Sequence, residues 1–342
     1  MMDIFETMKA LCRLPGVSGW EGPVREEILS RLWGKCECRV DALGNILAFK
    51  KGKTAPKNKL LFSAHMDEVG FIITYIENSG LLRFAGVGGI DSRVVPGKAV
   101  EVGEKRLYGV IGSKAVHLQE EKERSEPGKL DKLYIDIGAE SREEALEQVQ
   151  PGDRAVFCAD YGSLGDKLIF GRALDDRAGC ALLLEMIGRE LPFDCHFSFT
   201  VQEETGCTGG ITAGYAVAPD IAVAVETTTA SDIAGVDPDK VVCSLGKGPV
   251  VSFMDKGTVY DPQLYRLALD TARDRGIPCQ TKQGVFGGNE SRSLQTARGG
   301  ARAMAVSVPC RYLHSPAGVV SSEDITHTGE LLAALAEVLA DL

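Results

Sequence analysis

From residue 169 onwards, the sequence alternates between short strand patterns and amphipathic helix patterns. Residues 221–225 are continuously apolar, which is typical of a strand that is buried on both faces of a parallel sheet. Parallel neighbours require long crossover connections, which are usually helices. The sequence therefore predicts an α/β fold in which a mixed sheet is flanked by helices.

Residues 69–167 have a different sequence pattern. Short apolar runs are separated by glycines and by Pro-Gly pairs, which is typical of a small antiparallel barrel or a sandwich. One helix is predicted after Ser141, because Ser141 and Glu144 have the spacing of a capping box. The charged run 120–126 predicts a solvated loop. This block reads as a separate domain that is inserted into the first one.

Length, charge and cysteine usage limit the class of protein. A chain of 342 residues suggests about two domains, and a net charge of −10 without a basic cluster argues against a nucleic-acid partner. No apolar run approaches the roughly 20 residues of a membrane span. The ten cysteines contain no CxxC pair and follow no apolar leader, so we expect reduced thiols in a cytoplasmic protein.

Two adjacent acids follow a predicted strand within residues 195–210. Apolar and polar residues alternate up to Val201, and Glu203 and Glu204 then precede a turn of small residues. Two like charges at this point repel each other unless a cation lies between them. The alternative is a solvated strand end with two surface glutamates.

Three further predicted strands also end on polar residues. His65 follows the strand that begins near residue 59, Glu226 follows residues 221–225, and His314 follows the predicted last strand at 303–308. Asp67 lies on the same side of an extended chain as His65, so it can accept the free ring N–H of a metal-bound His65, or form a hydrogen-bonded core pair with it.

An acidic pair also opens a predicted helix. Asp175 and Asp176 precede the apolar pattern of residues 181–186. A carboxylate at a helix start is stabilised by free N–H groups and by the helix dipole, so a capping role explains either residue alone. Both together exceed what capping requires. A last helix is predicted at 327–339.

These polar residues are expected to meet, because functional groups in an open α/β sheet gather beyond the carboxyl ends of the strands. Two imidazoles and three carboxylates suit zinc or cobalt. One carboxylate can bridge two ions about 3.5–4 Å apart, each ion also taking one histidine and one further carboxylate. One acid of the glutamate pair then remains free to act as a general base.

Other hydrolytic chemistries fit less well. The sequence contains no G-x-S-x-G nucleophile elbow and no Walker loop. A glycosidase needs two carboxyls that face each other across a sugar, whereas neighbours such as Glu203 and Glu204 in an extended chain point to opposite sides.

Five motifs in this order resemble those of one known family. They are HMDEVGF at 65–71, GRALDDRAG at 171–179, VQEETG at 201–206, the strand end at Glu226 and RYLHSP at 311–316. Together with the β-rich insert, they resemble the dinuclear metallo-aminopeptidases that assemble as tetrahedral dodecamers, which include glutamyl and deblocking aminopeptidases and some proteins named endoglucanases. The resemblance spans essentially the whole chain.

The resemblance implies a role for each matching residue. Two divalent ions, zinc or cobalt, would be bound by one ligand set, with Asp175 bridging: His65, Asp175, Glu204, Glu226 and His314. Glu203 would be the catalytic base, and Asp67 would be the partner of His65. A cis peptide bond between Asp175 and Asp176 is also implied.

The same resemblance implies the architecture and the activity. Residues 1–67 and 168–342 would form a zinc-peptidase-like catalytic domain, and residues 68–167 an inserted small β-barrel that mediates contacts in a homo-oligomer, a dodecamer. The expected activity is removal of N-terminal residues from short peptides. The alternatives are a related dinuclear amidohydrolase that acts on acylated amino acids and a non-catalytic protein that keeps the fold.

Four positions depart from the family pattern. The chain has Asn289 and Glu290 where many relatives carry Thr-Asp, Glu226 where Asp is frequent, and Cys207 beside the glutamate pair. We expect these differences to affect substrate preference more than hydrolysis.

Overall fold

The structure, a computed structural model, describes residues 3–121, 128–158 and 160–342. Most of the charged run predicted to be a loop, residues 122–126, lies outside the described residues. The α-helices are α1 (Ile4–Cys12), α2 (Gly22–Leu32), α3 (Arg142–Leu146), α4 (Leu174–Gly188), α5 (Thr208–Val217), α6 (Pro262–Asp274), α7 (Ser291–Leu294) and α8 (Ser322–Ala340).

The strands form one large mixed sheet and one closed barrel. They are β1 (Glu37–Val40), β2 (Ile46–Lys50), β3 (Leu60–His65), β4 (Gly70–Ile76), β5 (Leu82–Val87), β6 (Ala99–Val102), β7 (Leu107–Gly112), β8 (Tyr134–Asp136), β9 (Arg154–Phe157), β10 (Gly162–Leu164), β11 (Leu168–Gly171), β12 (Cys195–Thr200), β13 (Ile221–Thr229), β14 (Val250–Val251), β15 (Gln280–Thr281), β16 (Arg302–Arg311) and β17 (Gly318–Ser321). This arrangement confirms the predicted fold class.

The large sheet is parallel at its centre and antiparallel towards its edges. Its order is β1-β2-β12-β3-β13-β16-β17-β11-β10, with β14 and β15 attached beside β16. The pairs β12–β3, β3–β13 and β13–β16 are parallel. Eight of the nine residues of β13 are buried, as its continuously apolar start predicts.

Helices cover both faces of this sheet because alternate side chains of each strand point to opposite sides. On one face, Leu60 and Phe62 of β3 belong to the main core, into which α4 and α8 pack. On the other face, Leu61 packs with Ala222 and with Leu294 of α7.

Two details of the C-terminal part differ from the sequence-based prediction. Helix α8 begins at Ser322, five residues before the predicted start. Its first turn contains Glu323 and Asp324, and Asp324 is buried. Acidic residues are favourable there, although the apolar periodicity does not extend to them. The strand predicted to be the last one, β16, is followed by β17, which pairs with it and with β11.

The inserted segment contains a closed barrel of the strands β4-β5-β8-β7-β6-β9. Phe71 lies at its centre, where its ring makes edge-on contacts with Phe84 and Phe157. Ser141 accepts the predicted hydrogen bond from the Glu144 amide, but the Glu144 carboxylate accepts one from the Glu140 amide instead of the Ser141 amide, so only half of the capping box forms. Because the six strands close into a barrel, the alternative of a sandwich is excluded.

The barrel strands all lie within the predicted insert 68–167, although β10, within the same range, pairs with β11 in the large sheet. The division into domains and the role of the insert in assembly stay predictions. Among the described residues, no helix is long and apolar enough to cross a membrane.

Candidate metal centre

The parallel centre of the large sheet brings its polar strand ends to one edge. His65 is the last residue of β3 and pairs with Thr200, the last residue of β12, three residues before Glu203. Ala224 of β13 pairs with Ser63, so Glu226 lies level with His65. The sequence-predicted convergence is therefore present in the geometry.

Asp175 lies between two histidines and offers one carboxylate oxygen to each. Its Oδ1 is 3.5 Å from His65 Nε2, and its Oδ2 is 3.1 Å from His314 Nε2. His65 Nε2 is also 3.6 Å from Glu226 Oε2, and His314 Nε2 is 3.1 Å from Glu204 Oε1. The five predicted ligands thus form two groups, each with one imidazole and one terminal carboxylate, that share Asp175.

The two adjacent aspartates at the start of α4, Asp175 and Asp176, have different roles. The Asp175–Asp176 peptide is cis, as the resemblance implied, and both residues have non-helical backbone angles. Asp176 Oδ1 accepts a hydrogen bond from the Gly179 amide at 3.0 Å, so Asp176 caps the regular part of the helix. Asp175 instead accepts a hydrogen bond from the Thr227 hydroxyl and faces the histidines.

The donor set fits divalent cations. Donor atoms of His65, Asp175 and Glu204 lie within 4.8 Å of one another, as do those of His65, Asp176 and Glu226. Glu226 is 3% exposed, and its Oε1 has no hydrogen-bond partner in the described structure. A buried carboxylate oxygen without a donor is rare in proteins unless a cation lies beside it.

The pKa shifts of Glu226 and His314 also favour a bound cation at this site. Burial raises the pKa of Glu226 well above its usual value, which shows how strongly this environment disfavours an uncompensated negative charge. Burial opposes the charged form of His314 as well, but Asp175 and Glu204 outweigh it and raise the pKa of His314 to about 11. A divalent ion bound here would displace that proton and neutralise these acids.

Asp67 is completely buried, and it orients more of the site than the sequence indicated. Its carboxylate accepts hydrogen bonds from the Ser18 hydroxyl at 2.6 Å and from the amides of Glu203 and Glu204 at 3.0 and 3.1 Å. The predicted partner, His65 Nδ1, is 3.5 Å from this carboxylate and 3.1 Å from the Asp67 carbonyl oxygen. Asp67 therefore holds the backbone of the glutamate pair as well as lying beside His65.

The inserted segment contributes directly to the site. The Gly89 carbonyl oxygen lies 2.9 Å from His314 Nδ1 and so orients the ring whose Nε2 faces Asp175. Gly88 has a φ of +79°, and a Cβ there would lie 2.7 Å from Val69 Cγ1 and 3.3 Å from Glu204 Cβ, so this position favours glycine. No sequence motif marked this loop, because its role depends on contact with residues more than a hundred positions away.

Glu203 faces the site without belonging to either group of proposed ligands. Its Oε1 accepts a hydrogen bond from the Cys207 thiol at 3.2 Å. Burial, followed by the Glu204 carboxylate, raises the pKa of Glu203 to about 7 against the opposing effect of His65. A carboxylate with this proton affinity is suited to accept and return a proton.

These groups open into a cavity of about 1210 Å³. All five predicted ligands and Glu203 line it, whereas Asp67 lies behind them. Asn289 also lines the cavity, but Glu290 is fully buried beneath it and accepts a hydrogen bond from Thr200. Of these two departures from the family pattern, only Asn289 is placed to contact a substrate.

Comparison with known proteins places this architecture in a family. Residues 44–331 match the family model of the M42 glutamyl aminopeptidases. A lysyl aminopeptidase of Pyrococcus furiosus is 33% identical over 351 residues, covering 99% of this chain and 98% of the relative. The chain therefore belongs to the M42 glutamyl aminopeptidase family.

Solved structures agree with this assignment. The TET aminopeptidase of a marine sediment archaeon, Thaumarchaeota archaeon SCGC AB-539-E09, has a TM-score of 0.94 at 33% identity, with 99% of this chain and 97% of that chain covered. The Pyrococcus horikoshii TET1 peptidase, described as able to assemble into a tetrahedron or a large octahedral shell, has a TM-score of 0.87 at 36% identity, with 98% and 99% covered.

Proposed function

We propose that this protein is a metal-dependent aminopeptidase that removes N-terminal residues from short peptides. The position of Asp175 between two imidazole–carboxylate groups carries the proposal, because two separate ion sites that share one carboxylate explain why each of its oxygens faces a different histidine. Family membership supports the peptidase reaction.

We assign each side chain one role in this reaction. His65 and Glu226 would hold one ion, His314 and Glu204 the other, and Asp175 both; Asp176 keeps its capping role. Two divalent ions, zinc or cobalt, would polarise the scissile carbonyl and acidify a water molecule. Glu203 takes the proton of the attacking water and passes it to the leaving amine. Asp67 positions Glu203 and Glu204 by accepting their backbone N–H groups.

One experiment tests both the metal dependence and the substrate class. Aminoacyl p-nitroanilides and their N-acetylated counterparts are assayed before chelation, after chelation with 1,10-phenanthroline, and after zinc or cobalt is restored. We expect cleavage of the free-amino substrates, loss after chelation and recovery with either ion, together with two ions per subunit by metal analysis.

Two results would contradict the proposal. Activity that survives complete metal removal excludes metal dependence. A preference for the N-acetylated substrates favours the alternative, a dinuclear amidohydrolase that acts on acylated amino acids.

We also propose that the chain forms a homo-oligomer, a dodecamer, with the insert 68–167 at subunit contacts. The insert exposes large apolar side chains that a monomer would leave in water, namely Tyr108, Val110, Val116 and Leu118. We expect light scattering to give twelve times the mass of the 36.6 kDa chain. Replacement of Val110 and Leu118 by Asp should reduce this mass, and a monomeric wild-type protein would refute the proposal.

A further inference from the structure

The proposed base, Glu203, is held by a side chain to which the proposed reaction gives no role. The thiol of Cys207 donates to Glu203 Oε1 at 3.2 Å, and this is the one hydrogen bond that the described residues make to the Glu203 carboxylate. Glu203 is not a ligand of either proposed ion, so no metal fixes its direction. Its orientation therefore depends on protein contacts of this kind.

A tight turn places Cys207 beside Glu203. The amides of Gly206 and Cys207 both donate to the Glu203 carbonyl oxygen, at 2.9 and 2.8 Å, so the chain folds back on itself directly after the glutamate pair. The Ser293 hydroxyl of α7 donates to the Cys207 carbonyl oxygen at 3.0 Å. The backbone of residue 207 is thus fixed from within the turn and from a neighbouring helix.

The conformation of Cys207 is unfavourable for a residue that carries a side chain. Its φ is +58°, in the left-handed region that glycine adopts more readily. Cys207 is the N-cap residue of α5, but its side chain makes no capping hydrogen bond to that helix. Neither the turn nor the helix start therefore accounts for a thiol at this position, whereas the contact with Glu203 does.

The thiol is suited to act as a lasting donor to this carboxylate. Burial, followed by the negative charge of Glu203, raises the pKa of Cys207 well above its usual value, so the sulfur keeps its proton. Cys207 is 7% exposed, which limits competition from water. Because the thiol occupies Oε1, Oε2 is the oxygen of Glu203 that is left to receive a proton.

We propose that Cys207 is a positioning residue that holds the Glu203 carboxylate so that Oε2 stays directed at the proton of the attacking water. This inference rests on the proposed function, in which Glu203 is the base. Proton transfer requires the base to lie within hydrogen-bond reach of the proton, and small displacements of a catalytic group are costly. Loss of the thiol should therefore lower kcat and leave substrate binding unchanged.

Two substitutions separate the hydrogen bond from the volume of the side chain. Ser and Ala are both smaller than Cys, but only Cys207→Ser keeps a donor. We expect Cys207→Ala to lower kcat for an aminoacyl p-nitroanilide about tenfold with KM changed less than about twofold, and Cys207→Ser to restore kcat to within about threefold of the wild type. Equal losses of kcat in both variants, or no loss in Cys207→Ala, overturn the proposal. A change in KM alone also overturns it and makes Cys207 a substrate contact.

A double-mutant cycle shows whether the thiol acts through the base. In the Glu203→Gln background, Cys207→Ala should lower the residual kcat little further, because no base remains to be positioned. Losses that multiply as independent effects overturn the proposal. The matched control is Cys195→Ala, which removes a buried thiol at the start of β12 outside the cavity and is expected to change neither kcat nor KM.

An infrared measurement on the zinc-loaded protein separates this inference from the proposed function, since it requires no hydrolysis. The difference between the wild-type and Cys207→Ala spectra isolates the S–H stretching band of Cys207. A thiol that donates to a carboxylate is more strongly bonded than one that donates to a neutral amide, so we expect Glu203→Gln to move this band to higher wavenumber. If no peptide is cleaved, the peptidase proposal fails, yet this shift still supports the hold of Cys207 on Glu203. A band that does not move refutes it.

Discussion

Replacing Glu203 by Gln is expected to lower kcat about 10²–10⁴-fold while the metal content stays at the wild-type value. The amide has nearly the same shape but cannot accept the proton of the attacking water. Glu203 lies outside both groups of proposed ligands, so its charge is not needed to hold an ion. Steady-state kinetics and metal analysis of the same sample measure the two quantities.

The neighbouring glutamate provides the contrast for this test. Glu204→Gln makes the same chemical change one residue away, but Glu204 Oε1 lies beside His314 Nε2, so we expect this variant to lose bound metal as well as activity. Glu330→Gln, at an exposed position of α8, should change neither quantity. Full activity in Glu203→Gln would remove Glu203 from the role of base, and loss of metal there would make it a ligand.

The positions of the site residues were predictable because they follow from local patterns. A buried parallel strand is recognisable from its apolar run, and the carboxyl ends of such strands meet at one edge. This reasoning placed His65 and Glu226 together without any tertiary information. The order of the strands in the sheet was not needed for it.

The contacts that orient these residues were not predictable. The Asp67 carboxylate accepts the amides of Glu203 and Glu204, which lie 136 and 137 residues away, and His314 contacts the Gly89 carbonyl across 225 residues. Main-chain donors and acceptors have no sequence signature, since every residue carries them.

Glu68 was likewise not singled out by the sequence, although it belongs to a buried ion cluster. Its Oε2 is 2.9 Å from Arg172 Nε, its Oε1 is 3.4 Å from Arg177 Nη2, and the Gly16 amide also donates to Oε1. Glu68 is 2%, Arg172 5% and Arg177 0% exposed. One carboxylate therefore offsets two guanidinium groups that are removed from water.

Glu68→Gln is expected to lower the free energy of unfolding by about 3–5 kcal/mol, because it leaves two buried cations without a counter-charge. Thermal unfolding followed by circular dichroism measures the loss. Glu323→Gln is the matched control, since Glu323 pairs with Lys167 at 2.7 Å but both side chains are about half exposed or more, where an ion pair contributes about 0–1 kcal/mol.

The difference in lost free energy of unfolding between Glu68→Gln and Glu323→Gln shows whether the cluster needs the negative charge of Glu68. Arg172 also donates to the carbonyl oxygens of Phe157 and Leu14, and Arg177 donates to that of Leu11. If these neutral acceptors alone satisfied the guanidinium groups, Glu68→Gln would lower the free energy of unfolding no more than Glu323→Gln does. A loss several times larger means that the negative charge itself is required, and that Glu68 joins the end of the barrel at Phe157 to the N-terminal segment and to α4.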